Sequence, residues 1–410
     1  MTIKWIPLIT LLVVNLGLDL WLFRKFKRDK KWPQIKSGAH AVLSLVLLGL
    51  MVAVMSIPRK ECDDSTFLFL MWAIYLYYTF YVPRYIAGIV WIPTHFRSSG
   101  PRTRRTGGIT ATIVGIVVFI FMLTGLFYTP HKLEVKHVEL EFKNLPQEFD
   151  GYRIAQFSDT HLGTYNGDTT FIAECVDSIN SLGADMICFT GDLVSRWSGE
   201  AVPFKHTLSR LHAPDGVISV LGNHDDSHYS YWPNEGKRQN DMNKLISLQE
   251  QMGWKVLVND HFILRRDTSE MAIIGTKCLM GWPFPKKGNL DTAYVEYDSA
   301  KRFAILLQHV PDQWKLDRAY QHKVTDLRLC DKVDLMLSGH THAMQCMFTI
   351  FGYNITPAIF SSDYPVGLYT EGDHKLYTKI GLGMVGIPAR LGSAYPEVTL
   401  ITLKRTKTVK

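Results

Sequence analysis

Five short clusters carry the residue types that bind cations and move protons: Ser158-Asp159-Thr160-His161, Gly191-Asp192, Gly222-Asn223-His224-Asp225, Gln308-His309 and Gly339-His340-Thr341-His342. Singly they say little, since Asp-x-His is common and an Asp or Asn after glycine is ordinary turn chemistry. Together they offer carboxylate, imidazole and amide ligands with no cysteine, which suits a borderline-to-hard divalent ion such as manganese, iron or zinc. Seven such ligands are too many for one ion but suit two ions sharing a carboxylate. Two ions about 3.5–4 Å apart clamp a phosphoryl oxygen and lower the pKa of a shared water. The chemistry expected is in-line attack of a metal-bound hydroxide on phosphorus.

The elements that must position these residues are short apolar runs. Tyr152–Phe157, Asp185–Thr190, Val217–Leu221, Phe303–Leu307 and Asp334–Leu337 are each predicted as a strand, and a cluster follows or closes each of them. In α/β sheets, ligands bind at the carboxyl ends of the strands, so residues distant in sequence can meet there. Leu133–Asp150 alternates apolar and polar residues and predicts the first strand of this region. Helices are predicted over Thr170–Leu182, Val202–Leu211 and Asp241–Gln251, with Asp226–Lys244 a long loop. Short strands are expected near Val256, His261–Arg265 and Met271–Gly275, and further strands from Met344 to Glu397–Leu403.

Residues 1–130 are of another kind. Trp5–Phe23, Ala39–Ile57, Phe67–Ile92 and Ile109–Tyr128 are apolar and long enough to cross about 30 Å of hydrocarbon, giving an all-α transmembrane domain of about four helices. The net charge of +7 is concentrated here: Arg24–Lys31 and Arg97–Arg105 hold ten Lys or Arg against one acid. That placement points to membrane topology and away from a nucleic-acid groove. With the basic loops on the cytoplasmic side, both termini and residues 131–410 are expected outside the cytoplasm. Pro83 and Arg84 predict a kinked or interfacial end to the third span, and Asp19 is expected to pair with Arg24 at the end of the first. The six cysteines form no CxxC pair, which argues against a zinc ribbon or thioredoxin-type site.

The five clusters, in this order, resemble the motif set of the calcineurin-like metallophosphoesterases over roughly Glu139–Leu403. The run Gly367-Leu368-Tyr369, Gly381-Leu382-Gly383 and Pro396-Glu397-Val398-Thr399 is similar to the bacterial YkuE-like branch. The resemblance implies a four-layer α/β/β/α sandwich. It implies that Asp159, His161 and His342 hold one divalent ion, Asn223, His309 and His340 the other, and that Asp192 bridges them. It gives catalytic roles to His224, as a contact to phosphate and leaving oxygen, and to Asp225, as the residue orienting the His224 ring.

The activity expected is a membrane-anchored phosphoesterase acting on a phosphodiester or a lipid- or envelope-linked phosphate. The alternatives are a non-catalytic metal-dependent sensor and a pyrophosphatase like the one acting on UDP-diacylglucosamine. Asp226–Arg238 and Leu279–Lys287 interleave aromatic and basic residues and are the candidate specificity loops, and Arg196 and Arg390 are candidate phosphate contacts. The partners expected are the substrate and the bilayer, with no nucleic acid; the sequence specifies no oligomeric state.

Overall fold

The computed structural model describes residues 5–95, 99–278, 302–315 and 333–406. The chain falls into two compact units, Met1–Thr124 and Gly125–Lys410.

The first unit is built on four helices, α1 (Trp5–Lys27), α2 (Pro33–Ser56), α3 (Asp64–Trp91) and α4 (Pro101–Phe127). Three described helical segments, Pro33–Ser56, Asp64–Thr94 and Pro101–His131, are long and apolar enough to cross a membrane. Asp63 caps α3 by accepting the Thr66 N–H at 2.7 Å, and the helix runs on past Pro83 to Trp91. Leu47, Met51 and Val54 of α2 pack against Leu70, Ala73, Tyr77 and Tyr81 of α3. Asp19 does not pair with Arg24 as the sequence suggested. It accepts from the Tyr81 hydroxyl at 2.5 Å and from Arg84 at 3.1 Å, a buried arrangement that draws α1 to α3.

The second unit is a sandwich of two six-stranded sheets. In the first, β1 (Glu134–Phe142) lies beside β15 (Glu397–Arg405), followed by β2 (Arg153–Phe157), β3 (Met186–Phe189), β4 (Val217–Val220) and β5 (Trp254–Leu257). In the second, β12 (Gly367–Glu371) and β13 (His374–Thr378) lead to β9 (Leu335–Ser338), β8 (Phe303–Leu307), β7 (Ser269–Gly275) and β6 (Asp260–Arg266). The centre of each sheet is parallel: β2 to β5 in one, and β7, β8, β9 and β13 in the other. A small third sheet joins β10 (Cys346–Ile350), β11 (Tyr353–Ile355) and β14 (Leu391–Gly392).

Ile154, Met186, Cys188 and Ile218 from one sheet meet Ile273, Ile305, Leu335 and Leu337 from the other in a shared core. On the outer face of the first sheet, α5 (Thr170–Ser181) buries Phe171, Ile172, Cys175 and Ile179 against Ala155, Phe157, Ile187 and Phe189. Among the described residues, Trp314, Val333 and Tyr364 cover the other outer face.

Two sequence expectations need correction. The helix foreseen over Val202–Leu211 is a 3-10 segment, Ser198–Phe204, followed by one α-turn, α6 (Lys205–Leu208). Pro203 removes a backbone donor there, and Glu200 turns inward to accept the Ser195 N–H at 2.5 Å. The loop foreseen over Asp226–Lys244 gives way at Glu235 to a 17-residue helix, α7 (Glu235–Gln251), capped by Asn234, which accepts the Lys237 N–H at 2.9 Å. The helix expected over Asp241–Gln251 is the C-terminal part of α7; the first turns of α7 read as loop because their inward face is partly ionic. Arg238 pairs with Asp226 at 2.8 Å, and Asp241 accepts from Ser198 Oγ at 2.6 Å and Ser227 Oγ at 2.8 Å.

Candidate metal centre

All five clusters leave the carboxyl ends of parallel strands: β2, β3 and β4 in one sheet, β8 and β9 in the other. The sandwich therefore aims five loops from two sheets at one place. Asp159, His161, Asp192, His340 and His342 all have φ between 43° and 75°, a left-handed backbone that non-glycine residues seldom adopt. Such strain persists where the surroundings over-determine it, and here it turns each side chain sharply inward at the strand end.

Two ligand groups result. Donor atoms of Asp159, His161, Asp192 and His342 lie within 4.8 Å of one another, as do those of Asp192, His309 and His340. Asp192 belongs to both. His342 Nε2 is 3.3 Å from Asp159 Oδ1 and 2.9 Å from His161 Nε2, while His309 Nε2 is 3.1 Å from Asp192 Oδ2. Asn223 sits in the chain between Gly222, which lies against Asp192, and His224, whose N–H binds Asp192; its amide donates to the Tyr229 hydroxyl at 3.0 Å, while its buried carbonyl oxygen has no hydrogen-bond partner. A buried amide oxygen without a partner, on the loop whose next N–H binds Asp192, is suited to a cation, as are the two groups of imidazoles and carboxylates, so the residues fit a divalent metal.

The protonation states agree. Burial holds the His161 ring well below its ordinary range and, with His309 next in effect, brings His340 down to about 4, so both present lone pairs. Burial also opposes the charge on Asp192, but the His309, His224 and His161 rings outweigh it and keep the carboxyl well below its usual value. His309 Nδ1 donates to the Thr190 carbonyl at 2.8 Å, which turns Nε2 toward Asp192.

Glycines make the room. A Cβ on Gly222 would come within 2.1 Å of Asp192 Oδ1, and one on Gly381 within 2.4 Å of the Asp159 Cβ. Gly381 and Gly383 close over Asp159 from a loop organised by Arg390. That side chain is fully buried and donates to the carbonyls of Ile380, Gly381, Gly383 and Ala394. Arg390 is therefore a backbone organiser, not the phosphate contact foreseen. Only the glycine pair hinted at this support in the sequence.

Asp225 also does something other than expected. Its carboxylate accepts four backbone N–H groups, those of Asp192, Leu193 and Gly222 at 2.8 Å and of Val194 at 3.2 Å. The His224 ring is held instead by the Ser195 carbonyl, 2.6 Å from Nδ1, and stacks on Tyr229 with centroids 3.9 Å apart. In the first candidate specificity loop, His228 and Arg238 turn onto Asp226, 2.8 Å away in both cases, and are not presented outward. The second, Leu279–Lys287, lies outside the described residues.

Residues 152–344 match the calcineurin-like phosphoesterase family. An uncharacterized metallophosphoesterase of Bacillus subtilis, YkuE, is 32% identical over 286 residues, covering 68% of this chain and 88% of the relative. A transmembrane protein with a metallophosphoesterase domain from Danio rerio is 28% identical over 316 residues, covering 73% of this chain and 64% of that protein. A UDP-2,3-diacylglucosamine pyrophosphatase of Chlamydia trachomatis, LpxG, is 43% identical over 90 residues, 21% of this chain and 27% of that one. Two strand-end ligand groups sharing Asp192 agree with these likenesses, and the chain belongs to the dinuclear metal-dependent calcineurin-like metallophosphoesterases, with a region of apolar helices in front.

Proposed function

We propose that this chain is a membrane-anchored phosphoesterase that hydrolyses a phosphodiester or a lipid-linked phosphate. The observation that carries the reading is the shared Asp192 between two His/Asp groups. Asp159, His161 and His342 would hold one divalent cation and Asn223, His309 and His340 the other. When bound, the two ions supply Lewis acidity toward the phosphoryl oxygens and activate a water for in-line attack. His224, with Nδ1 held by Ser195, offers Nε2 to the leaving oxygen. The basic loops after α1 and α3 support a catalytic unit outside the cytoplasm.

The test is hydrolysis of matched chromogenic phosphomonoesters and phosphodiesters by detergent-purified full-length protein, stripped with chelator and given manganese, zinc or iron in turn. Restoration by one of these metals is expected. Two ions bound per chain with no hydrolysis of either ester would replace the enzyme reading with metal-dependent binding. The likeness to LpxG favours a second reading, a diphosphate linkage in a nucleotide-linked, acylated sugar. A topology reporter after Lys410 separates the two, because a cytoplasmic signal would favour the diphosphate.

At His309, metal and proton compete. Burial pulls the ring down, but Asp192 and Asp159 outweigh it and hold it up at about 9. In metal-free protein this raised value contributes stability that is complete below the ring's ordinary value of about 6.5 and is lost as pH rises through about 9. A cation must displace that proton, so apparent metal affinity is expected to rise with pH up to about 9, by at most about tenfold per unit for one proton. Calorimetry at pH 7.5 in two buffers of different ionisation heat should find about one proton released from His309. Release of none would mean that the ring is already neutral.

A further inference from the structure

The loop that carries His342 runs on into a segment unlike the rest of its unit. From Cys346 to Phe360 there is no Asp, Glu, Lys, Arg or His. Strands β10 and β11 pair antiparallel there, Phe348 with Ile355, Thr349 with Asn354 and Ile350 with Tyr353. Opposed residues share a face and faces alternate along each strand. Phe348, Ile350, Tyr353 and Ile355 therefore make one side, and Thr349 and Asn354 the other.

The polar side is tied to the body. Thr349 Oγ1 meets Asn354 Oδ1 at 2.9 Å and Ser393 Oγ at 3.0 Å, next to β14. The apolar side is exposed throughout, with Tyr353 at 78%. At the tip, Phe351 is 97% exposed, and both it and Gly352 have positive φ, the two-residue turn that tight hairpins use. Phe360, 90% exposed, projects from the 3-10 segment that follows.

A two-stranded ribbon is marginal in water, and an uncharged one tipped with phenylalanine is a poor surface to leave there. Its shape and company select the occupant. It is a wedge with an aromatic tip, not a flat face, and it has no charge to fix the register of a protein partner. The same chain has three helical segments long and apolar enough to cross a membrane, so a hydrocarbon phase is within reach. Phenylalanine with tyrosine suits the boundary between headgroups and acyl chains. Among the described residues β11 is the edge strand of its sheet, and the backbone of an open edge limits insertion to that boundary.

We propose that the Phe348–Ile355 hairpin, with Phe360, inserts into the interfacial layer of a lipid bilayer and holds the metal centre at headgroup depth. The hairpin is fastened to the metal loop: Thr356 Oγ1 donates to the Ala343 carbonyl at 2.5 Å, one residue past His342. Docking would thus set the height of that loop above the lipid and favour substrates whose phosphate lies at the membrane surface. The inference rests on the membrane placement proposed above and is independent of which phosphate bond is cleaved.

The experiment places a nitroxide at Phe351→Cys in full-length, cysteine-free protein, reconstituted in nanodiscs of phosphatidylethanolamine and phosphatidylglycerol. Collision with oxygen is compared with collision with a water-soluble chromium chelate. Val46→Cys, exposed on α2, and Val202→Cys, exposed on the second unit, supply the lipid and water references. The Phe351 label is expected to follow Val46, with oxygen favoured several-fold. If it follows Val202, the hairpin stands in water and the inference fails. Dipolar broadening between Phe351 labels on two molecules would show a second copy as the occupant and also overturn it. If the Val46 label itself reports water, the membrane placement fails first. Metal uptake equal to that of the parent protein confirms that the labelled protein is folded.

Discussion

Asp192→Asn is expected to lower turnover on the order of 10³-fold, which is about 4 kcal/mol of transition-state stabilisation. The carboxylate does three things that an amide cannot do together. Oδ2 sits 3.1 Å from His309 and 3.7 Å from His161, each in a different ligand group, so one oxygen side serves both. Oδ1 accepts the His224 N–H at 2.8 Å and so sets the start of the loop bearing that ring. Its charge also balances the cations. An asparagine keeps the shape, but it offers one acceptor and turns an NH2 toward either His224 N–H or the imidazoles. Thermal melting makes the prediction specific. A ligand at 100 times its Kd stabilises the folded state by about 2.7 kcal/mol, so added metal should raise the wild-type midpoint and leave the variant near its metal-free value. Wild-type turnover with a retained metal shift would show that Asp192 does not bridge.

Much of this arrangement was legible in the sequence for one physical reason. Strands of parallel sheets buried on both faces read as near-continuous apolar runs: β3 and β8 are unbroken, β2, β4 and β9 are interrupted only by Arg153 and Gln156, Ser219 and Ser338, and a polar loop follows each. The seven expected ligands follow these runs, so their meeting could be anticipated before the pairing of any strand. The rest depended on contacts that leave no periodic trace. The inward face of α7 is Arg238, Asp241 and Gln249 as much as Met242 and Leu245, so the sequence showed the helix only from Asp241 on, and the ion pairs of Arg238 hid its first turns. Arg390 is an arginine like any other until its guanidinium is seen inside a ring of carbonyls. The amphipathic hairpin over Phe348–Ile355 depends on a register that alternation alone does not fix.

The neighbours His224 and Asp225 should fail in different ways when replaced. Asp225 is fully buried, with Oδ1 accepting from Leu193 and Val194 and Oδ2 from Asp192 and Gly222. An asparagine can satisfy one of these pairs, and its NH2 would point at the donors of the other. Leaving buried donors unmatched in a charge-assisted network costs about 3–5 kcal/mol, so Asp225→Asn should lower the melting midpoint of the metal-loaded protein markedly. Activity would fall with it, because the Gly222 and Asp192 loops lose their common anchor. His224 is the opposite case. Its ring rests on Tyr229, with Nδ1 on a carbonyl, and no strand depends on it. Burial lowers its affinity for a proton, so the negative charge of a bound ester is what would draw a proton onto Nε2. His224→Ala should therefore melt within about 1 kcal/mol of wild type while turnover falls roughly 10²–10⁴-fold, the range for a positioned acid or base. The decisive comparison is turnover against melting midpoint for both variants. If Asp225→Asn melted like the wild type but lost turnover as His224→Ala does, Asp225 would be acting through the His224 ring, and the four N–H contacts would not be its main work.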